Sequence, residues 1–298
     1  MAPELKERIP MAFGAPPHEL IRKTNWRGGR TYIDPTDKQE IEHPSVTTIC
    51  NIVNKPQIQG ARQRETRFAL EDLDGIKIDE WITRDILKAA DDSFSKAADI
   101  GTEMHSIIEQ VLDGNEGVEF DDFYVPALQA WNNWRSQYDA TFLEGERALL
   151  YNEGTCSYAG TVDAIFQLPD GTYQIVDWKS GGDGSGGIYL DHAVQISAYA
   201  KALQTLTGNK TTGLVVRMIM QHPQVQFYTA KGKPKTWRDG TPKYESDRRQ
   251  QKRFTGKFEF ANIIPEKYLC EFNNRYYTFK FNKTNPTIQG EGYTLEGI

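Results

Sequence analysis

The chain has 298 residues, 38% apolar and 26% charged, with 25 Gly and 14 Pro. That length can bury a sizeable core in one large domain or two smaller ones. The composition excludes collagen-like, disordered and disulfide-scaffold classes. No stretch approaches the roughly 18 unbroken apolar residues of a membrane span, and the best run, residues 214–220, is interrupted by Arg217. The first ten residues carry Glu4 and Glu7 and no apolar core, so neither a secretory signal nor a transit peptide is expected. Cys50, Cys156 and Cys270 are far apart and form no metal or redox motif. Reduced thiols in an intracellular, cytoplasmic or nucleoid-associated protein are the expectation.

Net charge is −6, but its sign is unevenly spread. Residues 231–257 hold ten basic against three acidic side chains, a local +7 that leaves −13 for the remainder. Such a segment is either a polyanion-binding element on an acidic body or a solvated loop rich in Lys, Gly and Pro.

In chain order, residues 1–45 are rich in Pro, Gly and charge and read as an arm or peripheral hairpin, with one strand-like piece around Tyr32 and Ile33. Pro44 and Ser45 precede VTTICNIV, which could open a helix or an edge strand. Residues 60–112 read as helical. Met104, Ile107, Ile108, Val111 and Leu112 follow amphipathic spacing up to a stop at Asp113 and Gly114. A further helix is expected over residues 125–138. The period then changes: residues 146–151, 158–168 and 172–178 read as strands, the last two separated by Pro169, Asp170 and Gly171. A glycine-rich connection leads to a helix over residues 191–207, closed by Gly208 and Asn209. Residues 214–220 and 225–229 read as strands, and residues 276–281 as a last one. Helices followed by a sheet with an embedded helix indicate an α/β or mixed α+β core. The boundaries expected are an arm over 1–45 and one domain over 46–298, helical at about 46–140 and carrying the basic insertion at about 231–257.

Chemistry concentrates in the middle of the chain. Asp163 lies in YAGTVDAIF, and Asp177 and Lys179 end the strand YQIVDWKSG. Residues two apart on a strand share a face, so Asp177 and Lys179 point together and Trp178 points away. Two carboxylates can hold a hard divalent cation, with the ammonium beside it to orient water or stabilise charge. An Asp-x-Lys standing alone would read as a surface ion pair at a strand end. His105 flanks the amphipathic helix with Glu109 one turn on, and a lone helical His is ordinarily no ligand. Gln195 and Tyr199, four apart, share a helix face. For Asp163 and Asp177 to share a face, the hairpin needs a three-residue loop. Pro169, Asp170 and Gly171 suit one, with Gly in the left-handed third position, which sets Asp163 opposite Asp177.

Taken in order, GTEMHSIIE, YAGTVDAIF, IVDWKSG and QISAYAKAL resemble the successive motifs of the RecB-like branch of the PD-(D/E)XK nucleases. Mitochondrial genome-maintenance exonucleases and related phage exonucleases are the nearest members in kind, and HPSVTTI, residues 43–49, resembles a segment near their N-terminus. The matched stretch runs from about 43 to 205. The resemblance implies a restriction-endonuclease-like core, a central mixed sheet flanked by helices behind a helical N-terminal region. It implies His105, Asp163 and Asp177 as metal ligands, with the Trp178 backbone carbonyl and an upstream acidic position at Glu146. It also implies Lys179 as the catalytic lysine, and Gln195 and Tyr199 as residues that steady the site.

Val162 replaces the motif's Pro, and the four cysteines of iron–sulfur relatives are absent, so no cluster is expected. There is no nucleotide-binding GxxxxGK[ST] motif, and the glycine run after Ser180 reads as a flexible connection. The expected function is a DNA exonuclease dependent on Mg²⁺ or Mn²⁺ and acting on single-stranded ends, in company with replication or recombination proteins. Arg248, Arg249, Lys252 and Arg253 are its candidate nucleic-acid contacts. A site-specific or structure-specific endonuclease and a non-catalytic DNA-binding recombination partner are the alternatives.

Overall fold

The computed structural model describes residues 20–24, 29–53, 55–71, 80–181, 187–219 and 257–284. The strand expected over residues 225–229 lies outside them. So does the basic insertion apart from the backbone of Lys257, and Arg248, Arg249, Lys252 and Arg253 go with it.

Three short strands open the described chain, β1 (Ile21–Thr24), β2 (Arg30–Ile33) and β3 (Glu42–Pro44), paired antiparallel in that order. Ser45 then caps α1 (Val46–Cys50), its Oγ accepting the Thr48 N–H at 3.0 Å. That cap settles the ambiguous run as a helix, since an N-cap serine satisfies an amide that a strand would leave to a neighbour. The helical region divides into α2 (Pro56–Glu71) and the 33-residue α3 (Glu80–Leu112), and α4 (Val125–Gln137) follows.

A five-stranded mixed sheet forms the centre: β4 (Thr141–Glu153), β5 (Cys156–Gln167), β6 (Tyr173–Gly181), β7 (Thr211–Ile219) and β8 (Lys257–Ile263), in that spatial order. Only β6 and β7 are parallel, and α5 (Leu190–Thr207) supplies the crossover that a parallel pair requires. The last element is α6 (Glu266–Thr284), a helix where residues 276–281 had been expected to form a strand. Their aromatic content favours strands, but Phe272, Tyr276 and Phe279 fall on one helical stripe packed on the core under α5. Burial along that stripe decides the element.

Alternation along the central strands sends successive side chains to opposite layers. Ile165, Ile175 and Val215 pack with α1, α5 and α6, while Phe166, Val176, Trp178, Leu214 and Val216 pack with α3 and α4. The product is the expected mixed sheet flanked by helices on both faces. Among the described residues no helix is long and apolar enough to cross a membrane.

Close approach between α5 and β5 requires a glycine. A Cβ on Gly160 would lie 2.6 Å from the ring of Tyr199, itself only 3% exposed. Gly160→Ala should therefore cost about 1–3 kcal/mol by overpacking. The expected reading is a lower urea midpoint at constant slope, partly recovered when Tyr199→Leu is added.

Candidate metal centre

The hairpin between β5 and β6 is built as its turn residues dictate. Leu168 N–H donates to Thr172 O, Gly171 N–H donates to Leu168 O, both at 2.9 Å, and Gly171 sits at φ +82°. The register runs Gln167↔Tyr173 to Ala164↔Val176, the odd register expected from the loop, in which Asp163 and Asp177 are the pair that would follow. The ladder stops there, although β5 extends back to Cys156 and β6 on to Gly181. At the parting of the strands the Trp178 N–H donates to Asp163 Oδ2 at 2.8 Å instead of to a backbone carbonyl. In extended chain the C=O of a residue lies on the same edge as its N–H, so the Trp178 carbonyl faces this fork too. The Trp178 ring points the other way, edge-on to Trp131 and Trp134.

Three ligand-bearing side chains converge on the fork. His105, Glu146 and Asp163 each place one donor atom within 4.8 Å of the others, and His105 Nδ1 lies 3.6 Å from Asp163 Oδ2. That separation is too long for a hydrogen bond. Helix α3 delivers His105 because Met104, Ile107 and Ile108 bury against the sheet on either side of it. Glu146 is not at a strand end, as had been expected, but inside β4, close after a register break between Phe142 and Glu144. Its neighbours pair Gly145↔Ala164 and Arg147↔Val162, which sets Glu146 across from Asp163. Its φ of +47° is left-handed, a conformation that costs an L-residue roughly 1–2 kcal/mol. Backbone strain of this kind collects at functional sites.

The Glu146 carboxyl is pushed up to about 7, by desolvation first and then by Asp163 and Glu109, with Arg22 and Arg30 pulling the other way. By area the side chain is exposed, so the two like charges are the part of that shift that needs no burial. Glu109, one turn after His105 on α3, thus belongs to the same negative field. A nitrogen donor and two carboxylates crowded this way could hold a divalent cation, whose charge would relieve the repulsion.

Asp177 is not among those three. Its Oδ1 and Oδ2 stand 2.8 and 2.7 Å from Lys179 Nζ, and Asp177 is 3% exposed. Burial pushes the Asp177 carboxyl up against the pull of that ammonium. For Lys179, burial acts downward but Asp177 and Asp163 outweigh it, so the lysine stays protonated above its usual range. Gln195 Nε2 lies 3.4 Å from both Asp177 Oδ1 and the Tyr199 hydroxyl, joining the two sequence motifs. The ligand set expected from the sequence therefore separates into two parts. Glu146 stands beside His105 and Asp163, and Asp177 holds the lysine.

Behind Lys179 is a cavity of about 340 Å³ lined by Asn51, Lys55, His192 and Gln195 among others. His192 went unnoticed in the sequence, yet its signal was there: positions 192, 195 and 199 share one helical face. Desolvation, then Lys179, lowers its pKa to about 4.

Comparison with protein-family models and with curated proteins finds no match. Among solved structures, SSO0001 is 14% identical at a TM-score of 0.35, covering 82% of this chain and 79% of its own. A "putative exonuclease" from Eubacterium rectale is 12% identical at 0.38, covering 78% and 85%. Likeness this slight decides nothing about fold or function.

Glu146 generates two predictions. Its raised pKa means the metal-free fold holds a proton that the unfolded chain has lost between pH 4.5 and 7. That contribution to stability is complete below the lower value and disappears as pH rises through the upper one. Titration calorimetry should accordingly show divalent binding tightening from pH 6 to 8, and Glu146→Gln should flatten the trend. Separately, Glu146→Gly should be more stable than Glu146→Ala by about 1 kcal/mol, because only glycine relaxes at that φ. Both should bind divalent cations more weakly than the unsubstituted protein.

Proposed function

We propose that this chain is a metal-dependent nuclease that hydrolyses DNA phosphodiesters, acting on single-stranded ends. One observation carries the reading: Asp163 stands between a cluster able to hold a cation and a buried carboxylate–lysine pair. Both serve phosphodiester hydrolysis, one as a Lewis acid on the phosphate and the other as a fixed cation beside the developing charge. The four sequence motifs, distant along the chain, also meet at this one place. The preference for DNA, and for single-stranded ends, rests on the RecB-like resemblance and not on the geometry.

In this reading His105, Glu146 and Asp163 hold Mg²⁺ or Mn²⁺, with the Trp178 carbonyl facing the same fork. The bound cation would polarise the phosphate and lower the pKa of a water molecule. Lys179 does the remaining electrostatic work. Its ammonium is kept charged by Asp177 and Asp163 and is aimed by a short bond to Asp177, so it can donate to a phosphoryl oxygen or to the attacking water. Gln195, which also donates to the Tyr199 hydroxyl, holds the Asp177 carboxylate in place and thereby fixes the lysine. The Trp178 N–H orients Asp163 through Oδ2, the oxygen that also faces His105 Nδ1.

The test is end-labelled linear single-stranded DNA beside closed circular single-stranded DNA, each with Mn²⁺, Mg²⁺ or excess chelator. Cation-dependent loss of the linear substrate alone is expected. Cutting of circles would move the reading to an endonuclease, and binding without cutting to a recombination partner. Asp163→Asn should lower the rate at least about 100-fold, the scale of losing one electrostatic stabiliser. It should leave thermal stability unchanged or raised, because a crowded negative charge is gone. Lys179→Ala should be inactive and also less stable, since it leaves Asp177 buried without its cation. Full activity in excess chelator would sink the mechanism.

A further inference from the structure

The N-terminal hairpin stands beside this site. In β1 and β2, Arg22 opposes Tyr32 and Thr24 opposes Arg30. Directly opposed residues share a face, and so do residues two apart, so Arg22, Arg30 and Tyr32 project together. Tyr32 fixes what that face looks at. It is 3% exposed, and its hydroxyl lies 3.1 Å from Thr161 Oγ1 on β5. Thr161 is two residues from Asp163, and its partner across the ladder, Ala148, is two residues from Glu146. The two arginines therefore flank an anchor set one step along the strands from the carboxylates.

Their electrostatics agree with that placement, since both pull on the Glu146 carboxyl. Yet both are exposed, and no carboxylate of a described residue stands within ion-pair distance of either guanidinium. Lys23, between them in sequence distance but on the opposite face of β1, does have a partner, Glu42 at 3.5 Å. A pair of arginines placed only to neutralise the cluster would close onto Glu146. These stop short, leaving room for a group that is negative towards the guanidiniums and can also reach a cation held by the carboxylates. A phosphodiester chain is such a group, and the guanidinium fork suits it. On a chain of net charge −6 a polyanion also needs a local positive surface to approach.

We propose that the β1–β2 hairpin is a phosphate clamp, in which Arg22 and Arg30 grip the backbone of a single-stranded nucleic acid next to the scissile bond. The proposal rests on the nuclease reading. It gives the N-terminal strands a task in substrate binding that neither their sequence nor the motifs indicate.

Arg22→Gln, Arg30→Gln, the double variant and Lys23→Gln should be prepared in the full chain. Each is titrated with a fluorescent single-stranded oligonucleotide at several salt concentrations, without divalent cation, and assayed for cleavage with Mn²⁺. The double variant should bind at least tenfold more weakly, with a salt slope smaller by about 1.4, or 0.7 for each lost contact. Its KM should rise while kcat stays within twofold, Lys23→Gln should match the unsubstituted protein, and Arg→Lys replacements should recover part of the affinity. Unchanged affinity and slope in the double variant overturn the clamp, as does an equal loss in Lys23→Gln. A change confined to divalent affinity also overturns it, by assigning the arginines to tempering Glu146. If the unsubstituted protein neither binds nor cuts, the nuclease reading fails and the clamp with it.

Discussion

Everything at the site depends on the β5–β6 ladder ending at Ala164↔Val176. Had the strands stayed paired, Asp163 and Asp177 would face each other across a closed ladder, with no opening in which to hold anything. Instead Asp163 spends one carboxylate oxygen on the Trp178 amide, the donor that the next rung would have used. The outer half of β5 is held from elsewhere: Ala159 bridges Ser45, Thr161 meets Tyr32, and Ser157 meets His43. The outer half of β6 pairs on with β7, Trp178 with Val216 and Lys179 with Arg217. Each branch of the fork thus has a partner of its own, and the gap between them costs few unsatisfied backbone groups.

The two halves of the site manage charge differently, and the difference follows from burial. Asp177 is nearly inaccessible, so its charge is tolerable only against an ammonium that is itself held by it. Glu146, at the surface, can remain beside Asp163 and Glu109 because water and exchange with protons soften the repulsion. A buried pair of fixed geometry suits a group that must stay charged and aimed. A solvent-facing cluster in which the Glu146 carboxyl is pushed up to about 7 suits a position where a cation comes and goes.

The turn residues made the most local part of this legible. Pro169, Asp170 and Gly171 specify the loop, the loop specifies the register, and the register sets Asp163 opposite Asp177, all within fifteen residues. The end of helix α3 was equally readable from apolar spacing, whereas His105 was legible as a site residue only through family likeness. Residues 276–281 depart from the strand that their aromatic content favours, because burial under α5 obeys the helical period. Glu146 was legible only through family likeness, since nothing local announces a left-handed glutamate inside a strand. The division of labour between Glu146 and Asp177 was beyond reach of spacing altogether. It depends on which carboxylate can reach an ammonium, a matter of three dimensions.

The same reasoning explains why α5 must be pinned at its start. Gln195 and His192 face the lysine from its first two turns, so a shift of α5 by an ångström would release Asp177 from Gln195. Arg275 on α6 prevents that. It is 5% exposed, donates to Asp191 Oδ1 at 2.6 Å and to the Cys50 carbonyl at 3.3 Å, and is itself steadied by Glu271 at 2.8 Å. Lys55 adds a second cation 3.5 Å from Asp191. A carboxylate in the first turn of a helix is favoured by the dipole, and here two cations tie that carboxylate to α6 and to the segment after α1. The final helix, which carries none of the motifs, thereby holds the helix that holds the lysine. The motif side chains thus owe part of their spacing in space to an arginine eighty-four residues downstream of the carboxylate it grips.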